Sequence, residues 1–395
     1  MNISSSHWLW NNTTQVAFGV DCVKKYIPTF IKPNSRILCT FGGGSIDKNG
    51  ARDDVNKALN NLNCTVHWEG GIPANPEYER LVEISKVVKK FKPDLILSVG
   101  GGSCLDGTKY IALISKFEDG IDPWDLFTKN LHPIETYPVA SVMTLPATGS
   151  EWNNAFVISR RSINAKLSGY SDSSYPIFSL LDPKYTLTLP SRQLKNGVYD
   201  SICHCIDQFL TPQLSPMMDH FWMSVIKELV DIGPDVINEN ASLELRERLI
   251  IASEFASNLI FNLGKDSCWG IHKIGHQLTA KYGIDHGATL SMVTPFFLEN
   301  QFENRKTLLA QTGAFVFGCE GTEDEMARGF IDGIRKFIIK IGMPTKVSEW
   351  EQTKIEEGDL EEVTSMVMKS VGGSYGYKKT ITEEDTRNIL RSVLQ

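Results

Sequence analysis

The chain has 395 residues, 42% of them hydrophobic and 22% charged, with a formal net charge of -7. That length exceeds the usual ceiling for one hydrophobic core, so two domains are expected, and the composition is that of an ordinary globular protein. The acidic balance and the lack of a Lys/Arg-rich block argue against nucleic acid or anionic membrane as a partner, and no apolar run reaches the roughly 18 residues that span a bilayer.

The opening stretch, MNISSSHWLWNNTTQ, has neither a basic start nor an apolar signal core, so a cytoplasmic location is expected. Residues 15–18 then read as an edge strand. The eight cysteines are scattered without a CxxC pair and do not resemble a disulfide framework. Short β-branched runs predict strands at 36–41, 64–68, 94–99, 138–145 and 177–181, with amphipathic helices at 51–62, 76–91 and 103–114 between them. Residues 153–175 read as irregular or hairpin-like. This βαβα order predicts a parallel, doubly wound sheet with helices on both faces.

Two of the predicted strands run into glycine. Phe41 is followed by Gly42, Gly43, Gly44 and Ser45, and Val99 by GGGSCLDG, from Gly100 to Gly107. Bare backbone leading into a helix start offers amide N–H groups to an anion, and the helix dipole adds attraction. Neither run has the GxGxxG pattern, and Thr108-Lys109 reverses the Lys-Ser/Thr order of a P-loop. Two such turns at the carboxyl ends of strands, where open α/β sheets bind ligands, favour phosphate cradles over tight structural turns. A third polar run, TLPATGSEWNN, reads either as a helix cap or as a wall of the same nucleotide cleft.

After Pro190 the pattern turns helical, with periods at 191–210, 216–235, 243–262, 267–281, 287–300, 305–317, 323–341 and 358–369. Residues 1–190 are therefore expected to form an α/β dinucleotide-type domain and 191–395 an all-helical one. Within the second, Asp200 and His204 are four residues apart and leave one face of one helix. His272 and His276 repeat that spacing, and His286 follows a turn at Gly283. One carboxylate and three imidazoles suit Zn²⁺ or Fe²⁺ and are too rich in nitrogen for Ca²⁺ or Mg²⁺. Cys203 and Cys205 flank His204, but neighbouring helical residues diverge by about 100°, so they read as buried thiols.

Taken together, GGGSIDKNG, GGGSCLDGTK, TLPATGSEWN, the DSICH pair and HKIGHQLTAKYGIDHG resemble the iron-containing (group III) alcohol dehydrogenases, in the bacterial butanol dehydrogenase and NADPH-dependent aldehyde reductase branch. The resemblance runs from about Trp8 to the C-terminus. It implies a Rossmann-like parallel-sheet domain followed by an all-α domain, as in dehydroquinate synthase-like folds. It also implies that Asp200, His204, His272 and His286 hold one divalent metal, Fe²⁺ or Zn²⁺. His276 would lie near the nicotinamide as a candidate proton donor. Gly101, Gly102 and Ser103 would hold the pyrophosphate, with Asp106 capping or orienting near the nicotinamide. Thr144, Thr148 and Asn153 would line the adenine and ribose side, Lys166 would bond the nicotinamide ribose, and Tyr185 would neighbour the adenine.

By the same likeness Gly42, Gly43, Gly44 and Ser45 would meet the adenosine ribose. Gly44 and Ser45 leave room for a 2′-phosphate and Lys48 adds positive charge, which favours NADP over NAD. Asp47 departs from the branch, which often has lysine there. The implied reaction is hydride transfer between NAD(P)H and a short-to-medium aliphatic aldehyde or alcohol, in a homodimer. Trp152, Trp269 and the Cys268 region are candidates for the pocket wall. The alternatives are a glycerol dehydrogenase, a dehydroquinate-synthase-like enzyme of the same fold, and a non-catalytic nucleotide-binding protein. A metallohydrolase lacks support, because Lys-Ile-Gly between His272 and His276 supplies no acid.

Overall fold

The computed structural model describes residues 8–133, 135–351 and 353–395. Two compact units divide the chain: Asn11–Pro190 with Glu239–Asn258, and Ser191–Asn238 with Leu259–Gln395 and the stretch ending at Trp10.

The first unit is built on β1 (Gln15–Phe18), β2 (Arg36–Phe41), β3 (Thr65–Glu69), β4 (Leu95–Gly101), β5 (Val139–Leu145) and β8 (Phe178–Leu181). They form one six-stranded parallel sheet in the order β1-β8-β5-β4-β2-β3. Its helices are α1 (Cys22–Phe30), α2 (Ser45–Lys48), α3 (Ala51–Asn60), α4 (Tyr78–Phe91), α5 (Gly102–Ile114), α6 (Asp125–Thr128) and α9 (Leu243–Ser257). Alternation along each strand separates two cores: Ile37, Cys39, Leu97 and Val99 lie on one side, and Leu38 and Ile96 on the other.

The register places Phe41 beside Val99, Val99 beside Val142 and Val142 beside Leu180. The turns after β2, β4 and β5 therefore leave the same edge of the sheet. The strand order reverses between β2 and β4, and such a switch point is where doubly wound sheets bind ligands. Residues 153–175 contain an antiparallel hairpin, β6 (Ala155–Arg160) and β7 (Ala165–Tyr170).

The second unit holds α7 (Ser191–Phe209), α8 (Pro216–Val236), α10 (Gly270–Tyr282), α11 (His286–Asn300), α12 (Phe302–Phe317), α13 (Glu323–Lys340), α14 (Asp359–Val371) and α15 (Glu383–Val393). Helix α9 lies between α8 and α10 in sequence yet clusters with the α/β unit, where Ile250 packs on Met143 and Leu181. It ends at Ser257 rather than 262, because Leu259 turns left-handed at φ 68°. Neither α1, which carries Pro28, nor α15 stood out as a helical period in the sequence. No helix among the described residues is long and apolar enough to cross a membrane.

Candidate functional site

Three helices of the second unit bring the histidines to Asp200. Asp200 and His204 leave buried positions of α7, and His272 leaves the first turn of α10. His286 opens α11, whose entry is held by Asp285: that carboxylate accepts bonds from Arg192 Nε (2.6 Å) and Asn196 Nδ2 (2.8 Å) of α7. Gly287 lets the backbones meet, since a β-carbon there would lie 2.6 Å from the Asn196 carbonyl oxygen.

Asp200 Oδ1 lies 3.7 Å from Nε2 of each of His204, His272 and His286. That is too long for a hydrogen bond. It is close to the edge of a tetrahedron of ligands about 2.1 Å from one ion, roughly 3.4 Å. The donor atoms of Asp200, His204 and His272 all lie within 4.8 Å of one another. Asp200 Oδ1 and His272 Nε2 are buried with no hydrogen-bond partner among the described residues, which suits atoms that a cation would satisfy. The donor set is one carboxylate and imidazole nitrogen, a fit for Fe²⁺ or Zn²⁺.

The charges agree with this. Burial pushes the Asp200 pKa up, but His204, His272 and His286 outweigh it and hold the carboxyl well below its usual range. Burial presses His204 down to about 4, leaving a neutral imidazole. Burial also opposes charge on His272, but the neighbouring Asp200 and Asp207 carboxylates more than offset this. Trp269 packs its ring 5.2 Å from that of His272, closing the cluster on one side.

In the α/β unit the turn after β4 is closely packed. A β-carbon on Gly100 would lie 2.8 Å from Cys104 Cβ, one on Gly101 3.0 Å from Leu145 Cβ, and one on Gly102 2.1 Å from Thr148 Oγ1. Only glycine permits α5 to start there. Lys166 Nζ donates to Asn75 Oδ1 (2.7 Å), and the Asn75 amide donates to Ser103 Oγ (3.3 Å), tying the hairpin to the same turn. Gly43, Gly44, Ser45 and Lys48 are exposed beyond β2.

Profiles of one family cover both units. The one described as "Iron-containing alcohol dehydrogenase" matches residues 13–183, and the one described as "Fe-containing alcohol dehydrogenase family, C-terminal" matches 195–394.

The chain belongs to the iron-containing alcohol dehydrogenase family.

Among its relatives is the NADPH-dependent aldehyde reductase YqhD of Escherichia coli K12, 36% identical over 85% of this chain and 87% of that protein. NADH-dependent butanol dehydrogenase A of Clostridium acetobutylicum is 31% identical over 96% and 97%. The crystal structure of E. coli YqhD superposes with a TM-score of 0.93, at 33% identity and 98% of each chain. That of Thermotoga maritima NADH-dependent butanol dehydrogenase A gives 0.92, at 27% identity, over 99% of this chain and all of that one (100%). The fold expected from the sequence is the one observed.

Within this iron-containing alcohol dehydrogenase, three residues expected at the dinucleotide are buried and hydrogen-bonded within the protein. Asp106 is buried, and its two oxygens accept from Ser150 Oγ (2.7 Å) and the Val157 amide (2.9 Å). Asn153 accepts from Lys109 and the Ala155 amide and donates to the Gly149 and Ser257 carbonyls. Tyr185 is fully buried in the core with its hydroxyl on Asp54 (2.9 Å). Lys109 reaches past the turn to Ser150, Asn153 and Ala155, so it fastens the TLPATGSEWN segment to α5 and does not serve as a phosphate lysine.

One residue of weight had not stood out in the sequence. Asp207 Oδ2 accepts Nδ1–H of His272 (2.8 Å) and its amide (2.9 Å), and Oδ1 accepts the Ile271 amide (3.1 Å). It lies seven residues after Asp200, on the same face of α7, and that spacing was its signal. His276 is buried with its ring 5.0 Å from that of His286. Cys203 and Cys205 are buried thiols, the former against Thr294 Oγ1 (3.1 Å). Lys281, one of the few cations near the cluster in sequence, is taken up by Asp359 and Glu362, which leaves it poorly suited to a phosphorylated substrate.

Proposed function

We propose that this family member is a metal-assisted, NADP-preferring reductase of short-to-medium aliphatic aldehydes that also runs as an alcohol dehydrogenase. The observation that carries the reading is the approach of Asp200 Oδ1 to three imidazole Nε2 atoms at 3.7 Å. Asp200, His204, His272 and His286 would hold the metal. When bound, a divalent iron or zinc supplies a Lewis acid for the carbonyl oxygen, and a nicotinamide dinucleotide supplies the hydride.

The chain's own residues do the rest. Asp200 brings one negative charge, so the set favours a divalent cation without neutralising it fully. Asp207 keeps the proton of His272 on Nδ1 and leaves Nε2 as the donor. His276 is the side chain we assign to delivering a proton to the product oxygen. Gly101, Gly102 and Ser103 offer backbone amides at the start of α5 to the pyrophosphate. Gly42, Gly43, Gly44, Ser45 and Lys48 would take the adenosine ribose and its phosphate, Thr144 and Thr148 would line the dinucleotide beside the turn after β4, and Lys166 would reach the nicotinamide ribose.

We also place the protein in the cytoplasm, in keeping with eight unpaired cysteines. A homodimer is expected to pair along β1, which ends the sheet and carries a partly exposed Phe18. Light scattering should return twice the chain mass. Dinucleotide oxidation followed with and without butanal tests the activity, and a kcat/KM with NADH equal to that with NADPH would remove the cofactor preference.

A further inference from the structure

Beyond β2 the structure builds an anion fork with one edge left open among the described residues. Arg52, in the first turn of α3, lays its guanidinium 4.2 Å from the Phe41 ring centre and 4.4 Å from that of Trp68. The two rings meet edge to face at 73°, so the guanidinium rests in their corner. Both walls are fixed: Trp68 Nε1 donates to Asn56 (3.1 Å), and Gly70 leaves room for the Phe41 ring, which a β-carbon there would meet at 2.2 Å.

Arg52 Nε donates to Asp47 Oδ1 (2.5 Å). Its terminal nitrogens, Nη1 and Nη2, donate to no protein acceptor among the described residues, and the side chain is 21% exposed. A planar guanidinium held between two rings, with one edge taken and the other open, is pre-organised for bidentate binding of a phosphate. Phe41 is the last residue of β2 and Gly42 begins the exposed turn at the switch point.

We propose that Arg52 is the residue that selects a 2′-phosphorylated adenosine dinucleotide, with Asp47 acting as its orienting partner. This rests on the reading that the turn at Gly42–Ser45 faces the adenosine ribose. An aspartate in that turn would by itself repel a 2′-phosphate and accept a 2′-hydroxyl. Here its charge is matched by Arg52 through Nε, and the open Nη edge offers up to two charge-assisted hydrogen bonds. Lys48, exposed at the end of α2, adds charge but no fixed geometry.

The test measures binding of adenosine 2′,5′-bisphosphate and of 5′-AMP to the full-length, metal-loaded protein by calorimetry, for wild type, Arg52→Gln, Arg52→Lys and Lys48→Gln. Wild type is expected to prefer the bisphosphate. Arg52→Gln should lower that preference by roughly tenfold to a hundredfold with 5′-AMP affinity unchanged. Arg52→Lys should restore part of it, and Lys48→Gln should have a smaller effect. If Arg52→Gln weakens both nucleotides equally, or leaves the preference intact, Arg52 is a structural plate and the proposal is overturned while the nucleotide site stands. If wild type binds neither nucleotide, the reading of the turn itself is lost, and this proposal with it.

Discussion

His272 and Asp207 are joined twice, through the imidazole Nδ1–H at 2.8 Å and the backbone amide at 2.9 Å. One carboxylate from α7 thus caps the start of α10 and fixes the tautomer of the histidine that α10 carries. Asp207→Asn keeps the size of the side chain but weakens its hold on the imidazole. Metal affinity is expected to fall by roughly tenfold to a hundredfold, read by competition with a chromogenic chelator. An unchanged affinity would leave Asp207 as a helix cap alone.

Gly287 and Asn196 set the approach of α11 to α7. Gly287→Ala would drive a β-carbon to 2.6 Å from a backbone oxygen, which cannot rotate away. The helices should part and carry His286 from Asp200. Weaker metal binding with Asp200, His204 and His272 still in place is the expected result, together with a changed ligand-field spectrum in the cobalt-substituted protein. A wild-type spectrum would show that His286 is not part of the donor set.

Lys109 is a buried cation with five oxygen acceptors in the 150–155 segment. Lys109→Met strands these acceptors and removes the positive charge nearest Asp106, Glu151 and Glu254. The expected loss is roughly 3–5 kcal/mol of stability, measured by urea unfolding. A loss below about 1 kcal/mol would mean that the network contributes little more than a surface pair.

Glu151 and Glu254 predict a pH dependence. Burial pushes Glu151 up to about 7 from an ordinary 4.5, and burial with the Glu151 charge raises Glu254 as well. A raised carboxyl keeps its proton in the folded chain after the unfolded chain has lost it. The unfolded state then binds fewer protons, so this pair withdraws stability as pH rises from 4.5 through about 7. Both Glu254 oxygens are buried without a hydrogen-bond partner among the described residues. Glu254→Gln should therefore leave Tm nearly unchanged at pH 5 and raise it at pH 8. An equal shift at both values would show that the effect is one of packing.

The alternation of strands and helices was legible because parallel strands buried on both faces read as short continuous apolar runs, and the helices between them keep their own period. The convergence of Asp200, His204, His272 and His286 was legible because a metal-suited donor set needs few residue types at helical spacing. The burial of Asp106, Asn153 and Tyr185 was not legible, for a common reason. Each is polar and next to a ligand-like turn, and sequence does not reveal whether a polar side chain points toward the turn or into the protein. Helix α9 was placed in the wrong neighbourhood because its period says which face is apolar and not which core it covers.

The central claim is that Asp200 and three imidazoles hold the ion on which turnover depends. Its most direct test is metal analysis of the purified protein with aldehyde reduction followed in the same sample, before chelation, after it, and after adding back Fe²⁺ or Zn²⁺. The account predicts about one bound ion per chain, with activity lost and regained along with it, and neither ion nor activity in His272→Ala. Full NADPH-dependent reduction by metal-free protein, or by His272→Ala, would contradict it.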